Sequence, residues 1–305
     1  MIFQRTLSNP ITVTGRGIHS GCRVTMRLFP AKADHGIVFR RVDLTNSQEL
    51  KLNAQNVGAT ENNTAIGQGK EAIHTVEHLL SALYGLGINN IYIEIDNAEV
   101  PIMDGSSASF LFLLKEAGIV NLSHPKKFLV VHKKLRVEKD DKWAEIEPAT
   151  QLIIDSTIIF PHPAIKTQKR EFVFSCQNYV QEISKARTFG FLKDVDMLKR
   201  KGLARGGSLD NAIVLDDFKV INAEGLRYVD EFVRHKILDT IGDLSLLGHD
   251  ILGRVTTYKS GHNIHNLLCK KILETPDAYS IVSSLTMTPQ SESWFQLPNF
   301  GLQTV

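Results

Sequence analysis

Apolar residues recur with two kinds of spacing along the chain, and together these spacings predict a mixture of helices and strands. The helical spacing i, i+3, i+4, i+7 is clearest in one stretch, made of Val76, Leu79, Leu80 and Leu83. This stretch predicts a helix over 75–84, which Gly85 and Gly87 would end because glycine is common just past the end of a helix. Further helices are predicted over 110–116 and 230–247.

Alternating or short continuous apolar runs predict strands on both sides of a basic, polar segment at 123–127. The runs lie at 22–29 and 88–95 before this segment, and at 128–131, 135–138, 143–148, 152–159 and 251–258 after it. Each side therefore has strands, then a helix, then glycine, then an apolar strand. We predict an α+β fold of two similar domains, 1–125 and 126–305, with the functional site between them and a polar insertion near 46–70.

Composition narrows the class of protein without identifying it. The chain of 305 residues is 43% hydrophobic and 22% charged, which is ordinary for a globular protein. A net charge of +2, with no basic patch that contains aromatic residues, argues against nucleic-acid binding. No apolar run reaches membrane-spanning length and the first residues lack a signal-peptide core, so we expect no stable membrane insertion. Three scattered cysteines form no disulfide framework, which favours the cytoplasm.

Two short segments, far apart in the chain, carry residue types that bind metals. His235 and Asp239 are four residues apart on the long predicted helix, so both would project from one face. Glu77 and His78 stand near the start of the 75–84 helix. Two imidazoles and one carboxylate, beside a second carboxylate that is not a ligand, suit a hydrolytic zinc centre. If the two segments meet, the pattern predicts a metal-dependent hydrolase.

Taken alone, each of these signals has a more ordinary structural explanation. A His-x3-Asp pair on a helix is more often a surface or supporting pair than a pair of ligands. Asp243 extends the polar stripe of the same helix, and such a stripe normally faces water. His262, in a glycine-containing loop after a predicted strand, is a candidate proton donor, although a loop histidine is usually incidental. The joint pattern is stronger than any single pair.

The segment 187–191 also has two interpretations. It is either a strand with core aromatics, or a Thr188 hydroxyl placed at a developing oxyanion beside an apolar channel lined by Phe189 and Phe191. The sequence leaves both open.

The order of the motifs resembles the UDP-3-O-acyl-N-acetylglucosamine deacetylases of Gram-negative bacteria, which are enzymes of lipid A synthesis. The resemblance covers almost the whole chain from Gln4, and its motifs are TVEHL at 75–79, PIMDGS at 101–106, ARTFGF at 186–191, HKILDTIGDL at 235–244 and SGH at 260–262. Together these motifs are highly specific. The resemblance implies hydrolysis of the acetyl group of UDP-3-O-(3-hydroxyacyl)-N-acetylglucosamine with release of acetate. It also implies a second insertion, near 190–226.

The resemblance assigns roles to individual residues. Zinc would be bound by His78, His235 and Asp239, and iron(II) is an alternative because two imidazoles and a carboxylate also suit iron. Glu77 would be the general base. The other implied catalytic residues are His262 as general acid or oxyanion stabiliser, Thr188 at the oxyanion and Asp243 as the partner that tunes His262. The implied substrate contacts are Lys236, Phe189, Phe191, Lys142, Phe160 and His162.

Two rival functions remain open. One is a zinc amidase or deacetylase for another N-acyl sugar. The other is a non-catalytic, metal-stabilised binding module, although structural zinc is usually held by four protein ligands rich in cysteine. We expect the protein to be a monomer.

The sequence departs from the family pattern at 59–64. Asn62 stands where the family often has a cysteine, counting back from the TVEHL motif without gaps. A thiolate binds a second zinc ion better than a neutral amide does. We therefore expect weaker inhibition by excess zinc.

Overall fold

Strands and helices alternate along the first part of the chain. The computed structural model describes residues 1–286 and 293–298. The elements up to residue 125 are β1 (Phe3–Leu7), β2 (Ile11–Arg16), β3 (Arg23–Pro30), β4 (Ile37–Arg41), β5 (Leu50–Lys51), α1 (Glu77–Gly85), β6 (Ile91–Ile95), α2 (Ala108–Glu116) and β7 (Ile119–Pro125).

The second part of the chain adds ten strands and four helices within the described residues. They are β8 (Lys127–Val131), β9 (Leu135–Lys139), β10 (Lys142–Glu147), β11 (Ile153–Phe160), β12 (Lys166–Val173), α3 (Cys176–Asn178), β13 (Phe189–Phe191), α4 (Leu192–Arg200), β14 (Ile213–Leu215), α5 (Glu231–Leu244), β15 (Asp250–Leu252), β16 (Arg254–Tyr258), α6 (His262–Leu273) and β17 (Tyr279–Ser283). Parts of the predicted domain 126–305, namely 287–292 and 299–305, lie outside the described residues.

Two five-stranded sheets with the same connectivity form the framework. The first has the order β2-β3-β6-β4-β5 and the second the order β9-β10-β16-β11-β12. In each sheet the third and fourth strands pair in parallel and every other pair is antiparallel. β1 pairs with β7, and β8 pairs in the same antiparallel way with β17. The two halves therefore repeat one α+β unit, which confirms the predicted fold class.

Helices α1 and α5 pack against each other between the two halves. Gly242 allows their close approach, because a Cβ atom at this position would lie 2.1 Å from the Glu77 carbonyl oxygen. Residues from both halves join one continuous hydrophobic core that includes Leu79, Leu83, Ile237 and Ile241. This packing brings the two predicted metal-binding segments to the same place.

Two local expectations were wrong in detail. The predicted strand 251–258 is interrupted at Gly253, so β15 pairs with β8 while β16 enters the second five-stranded sheet. A Cβ atom at Gly253 would lie 2.9 Å from the Val131 side chain, which explains why glycine occupies the break. His262 is not in a loop but is the first residue of α6. Asp230 precedes α5 without capping it through its side chain, because its carboxylate binds Arg170 and Arg234 instead.

The segment near 46–70, which the sequence predicts to be an insertion, contains little regular structure. Its elements are β5, two 3-10 turns (Ala54–Asn56 and Gly69–Glu71) and isolated bridges such as Val57 to Ile66. The segment near 190–226 folds as α4 and the short strand pair β13–β14.

Candidate active site

Three ligand-type atoms converge where α1 and α5 meet. His78 is the second residue of α1, whereas His235 and Asp239 lie one turn apart on α5. Asp239 Oδ1 lies 3.6 Å from His78 Nε2 and 3.2 Å from His235 Nε2. The two imidazole rings are 5.0 Å apart and nearly perpendicular. All three side chains are buried.

The electrostatics of this group suit a cation. Burial lowers the pKa of His235 to about 3, so the imidazole is neutral, and its Nδ1 donates to the Ala186 carbonyl at 3.1 Å. The Nε2 atom that faces Asp239 therefore carries a lone pair. Burial would raise the pKa of Asp239, but the positive charge of Lys236, bonded to its Oδ2 at 2.8 Å, helps to hold it well below its usual value. Among residues 1–286 and 293–298, Asp239 Oδ1 has no hydrogen-bond partner. A buried, unpartnered carboxylate oxygen facing an imidazole lone pair is costly unless a cation lies between them.

Glu77 lies next to this group but is not part of it. It is buried, and its Oε2 accepts a hydrogen bond from the Thr64 backbone N–H at 3.0 Å. Burial raises the pKa of Glu77 above its usual value. Thr75 has a φ of 58°, an uncommon conformation for threonine, just before α1 begins. Such backbone strain is concentrated at functional sites in proteins.

Asp243, one turn beyond Asp239 on α5, binds two histidines of α6. Its Oδ2 accepts hydrogen bonds from His262 Nδ1 at 2.8 Å and from His265 Nδ1 at 2.7 Å. Its Oδ1 accepts from the Thr64 hydroxyl at 2.5 Å. Burial would lower the pKa of His262, but the Asp243 charge outweighs it and raises the pKa to about 9. His262 therefore carries a proton at neutral pH.

Sequence reasoning missed two residues of this network, Thr64 and His265. Thr64 bonds both Glu77 and Asp243, yet nothing in the polar segment around it indicates a role. His265 had a detectable signal, because it follows His262 by three residues and so lies on the same face of a helix. Asp243, His262 and His265 also form a ligand-type group, but Asp243 already accepts three hydrogen bonds.

A cavity of about 1220 Å³ opens beside these side chains and is larger than most small-molecule pockets. Most of the residues expected at the site line it, namely Glu77, His78, Lys142, Phe160, Thr188, Phe189, Phe191, His235, Lys236, Asp239 and His262. Asp243 and His162 are not among the lining residues. Asp243 lies behind the cavity-lining His262 and accepts a hydrogen bond from it. His162 Nε2 donates to the Asp216 carbonyl at 2.7 Å.

The aromatic residues of the expected substrate region form one cluster at the cavity wall. The Phe160 ring lies 5.5 Å from Phe189 and 5.9 Å from Phe191, and the His162 ring lies 5.6 Å from Phe191. Lys142 is exposed at the start of β10. Lys236 Nζ donates to Asp239 Oδ2 at 2.8 Å. Burial would lower the pKa of Lys236, but the negative charge of Asp239 outweighs burial and raises this pKa.

A buried group of two imidazoles and one carboxylate, with a separate carboxylate beside it, is typical of hydrolases that bind a metal ion. Comparison with known proteins identifies the family. Residues 4–274 match the family described as LpxC: UDP-3-O-acyl N-acetylglycosamine deacetylase. The chain belongs to this family of deacetylases, as the sequence motifs indicated.

Relatives named UDP-3-O-acyl-N-acetylglucosamine deacetylase support the same assignment. The protein of Thioalkalivibrio sulfidiphilus is 50% identical over 93% of this chain and 94% of its own length. That of Nitrosococcus oceani is also 50% identical, over 93% of this chain and 94% of its own length. The Geobacter sp. strain M21 protein is 47% identical over 99% of this chain and 97% of its length. None of the helices among the described residues combines the length and the hydropathy that a membrane-spanning segment needs.

Proposed function

We propose that this chain removes the acetyl group from UDP-3-O-(3-hydroxyacyl)-N-acetylglucosamine and releases acetate, the committed step of lipid A biosynthesis. The family and the names of the relatives support this substrate. The observation that carries the chemistry is the convergence of three ligand atoms beside a buried carboxylate and a protonated imidazole in one cavity.

His78, His235 and Asp239 would hold the metal ion. Their two Nε2 atoms and the unpartnered Asp239 Oδ1 fit a divalent cation, and this donor set suits zinc, with iron(II) as an alternative. A bound divalent cation supplies Lewis-acid activation of a water molecule and of the acetamide carbonyl.

Glu77 has the properties of the general base. It is buried, is not part of the ligand group, and has a pKa that burial raises, which makes its carboxylate a stronger base. The Thr64 N–H fixes its Oε2, so its orientation is set before substrate binds. Glu77 would take the proton of the attacking water.

His262 has the properties of a proton donor and oxyanion stabiliser. Its raised pKa keeps it positively charged, and Asp243 fixes its ring through Nδ1. The positive charge would stabilise the oxyanion together with the Thr188 hydroxyl. Either His262 or the protonated Glu77 would then deliver a proton to the leaving amine.

The rest of the cavity fits the two ends of the proposed substrate. Leu192, Val195 and Leu198 of α4 line it together with Phe191, which suits an acyl chain. Phe160, His162 and Lys142 would lie near the nucleotide and its diphosphate. Lys236 would help to place the substrate. The alternative function, deacetylation of a different N-acyl sugar, does not account for this apolar wall.

The decisive experiment measures acetate release from the acylated UDP-sugar with protein of known metal content. Chelation should abolish turnover and zinc should restore it. Glu77→Gln should keep its metal and lose about 10²- to 10⁴-fold in kcat, the usual contribution of a general base. Turnover near the wild-type rate would reject this role. Undiminished kcat/KM on a substrate without the fatty chain would favour another N-acyl sugar, and no turnover on any acylated amine would favour a binding module.

We also propose that the protein is a cytoplasmic monomer. All three cysteines are free thiols. Cys22 is exposed, whereas Cys176 and Cys269 are buried. Sedimentation equilibrium and cell fractionation are the corresponding measurements. A dimer, or recovery from the periplasm, would refute the respective statement.

A further inference from the structure

The peptide group between Ala186 and Arg187 is hydrogen-bonded to α5 through both of its polar atoms. Its carbonyl oxygen accepts a hydrogen bond from His235 Nδ1 at 3.1 Å, and its N–H donates to Glu231 Oε1 at 3.0 Å. Glu231 and His235 are four residues apart and therefore share one face of the helix. Because a peptide group is planar and stiff, the first residue of α5 and a candidate metal ligand are joined through one rigid unit.

The side chain of Arg187 fixes this peptide in place. Its Nε donates to Glu231 Oε1 at 2.9 Å and its Nη2 to Glu231 Oε2 at 3.2 Å. Nη1 donates to Glu224 Oε1 and Nη2 also to the Gly225 carbonyl, both at 2.7 Å. The Arg187 side chain is 2% exposed and that of Glu231 is fully buried. The two-pronged contact is specific to arginine, because lysine cannot reproduce it.

Buried ion pairs of this kind contribute little net stability, since desolvation of both charges offsets their attraction. Within the described chain, the Glu231 carboxylate accepts hydrogen bonds from the backbone and side chain of Arg187. It also accepts one from the Arg227 N–H at 2.6 Å. Thr188, the next residue, is bonded through its own N–H to the Gly105 carbonyl at 2.8 Å and lines the cavity. The pair is thus bonded to the peptide group that accepts from His235 and that precedes Thr188.

We propose that Arg187 and Glu231 are positioning residues for His235. By fixing the 186–187 peptide, the pair supplies the acceptor that keeps a proton on His235 Nδ1 and leaves the Nε2 lone pair directed at Asp239 Oδ1, 3.2 Å away. His78 has no such support, because its Nδ1 has no hydrogen-bond partner within the described chain. The inference rests on the proposed function only in taking His235 as a metal ligand.

The test uses Arg187→Met, Arg187→Lys and Glu231→Gln in the full chain, with metal binding as the readout. Apo-protein is titrated with cobalt(II) against a competing chelator, and the visible spectrum of the cobalt protein reports the ligand geometry. We expect Arg187→Met and Glu231→Gln to bind cobalt about 10- to 100-fold more weakly, the usual effect of losing the support of a metal-binding histidine. Their cobalt spectra should differ from that of the wild type, and Arg187→Lys should fall between.

Lys126→Met is the matched control. It breaks a buried ion pair with Asp250, whose side chains are 2% and 5% exposed, away from the cavity. It should lower Tm to a similar extent yet keep the wild-type cobalt affinity and spectrum. Unchanged cobalt binding in the Arg187 and Glu231 variants, or equal weakening in the control, would overturn the inference. If the wild type binds no cobalt, both the proposed function and this inference are overturned. If the wild type releases no acetate but the Arg187 and Glu231 variants bind cobalt differently from it, only the inference stands.

Discussion

Replacing Asp243 with Asn tests the electrostatic coupling between this carboxylate and His262. Burial lowers the pKa of His262, but the charge of Asp243, in contact at 2.8 Å, outweighs it and raises the pKa to about 9. Asparagine has nearly the same shape and no charge. The substitution therefore removes the largest contribution that favours the imidazolium and leaves the burial that opposes it.

The expected magnitude follows from the two protonation states. Without the charge, the pKa of His262 should fall from about 9 toward its ordinary 6.5. At pH 7.5 the wild-type imidazole is almost fully protonated, whereas a group with a pKa near 6.5 is only about one-tenth protonated. If the imidazolium is the active form, kcat/KM at this pH should fall about tenfold. Because the pKa of His262 is lower in the variant, the alkaline limb of its pH profile should move to lower pH.

The assay is kcat/KM for acetate release across the range from about pH 5 to pH 10, because this ratio reports the pKa values of the free enzyme. A bound divalent cation lowers the pKa of His262 in both proteins, so the difference between the two profiles is the quantity of interest. Asp230→Asn, just before the same helix and paired with Arg170 and Arg234, is the control and should leave the profile unchanged. An alkaline limb that stays in place in Asp243→Asn would refute the coupling.

Three further variants test other parts of the structure. Gly242→Ala places a Cβ atom 2.1 Å from the Glu77 carbonyl oxygen, so it should separate α1 from α5, lower Tm and reduce kcat; wild-type values of both would show that the close approach is unimportant. Leu198→Asp puts a charge in the apolar cavity wall and should raise KM for the acylated substrate but not for one without the chain, and equal effects on both would contradict an acyl passage. Asn62→Cys, at the cavity rim, should make turnover more sensitive to added zinc, whereas equal inhibition of variant and wild type would refute that reasoning.

The elements and the family could be predicted from the sequence. The helices predicted over 75–84 and 230–247 correspond to α1 and to α5 with its following 3-10 turn, because their apolar stripes are long and regular. The α+β class and the deacetylase family are confirmed, since the strand–helix order and the motifs are local properties of the chain. The sequence also predicted that His235 and Asp239 share one face of a helix, because residues four apart do so in any α-helix.

Only the tertiary structure decided which polar residues share one site. A stripe of histidine and carboxylates on a helix normally faces water, yet His235, Asp239 and Asp243 are buried because the second half of the chain packs α5 against α1. The approach permitted by Gly242 and the hydrogen bonds of Thr64, which is 179 residues from Asp243 in sequence, depend on that packing. Such contacts join positions with no local relation in the chain. Periodicity and motif spacing describe neighbours along the backbone, so they could place each half of the site but could not measure how the halves meet.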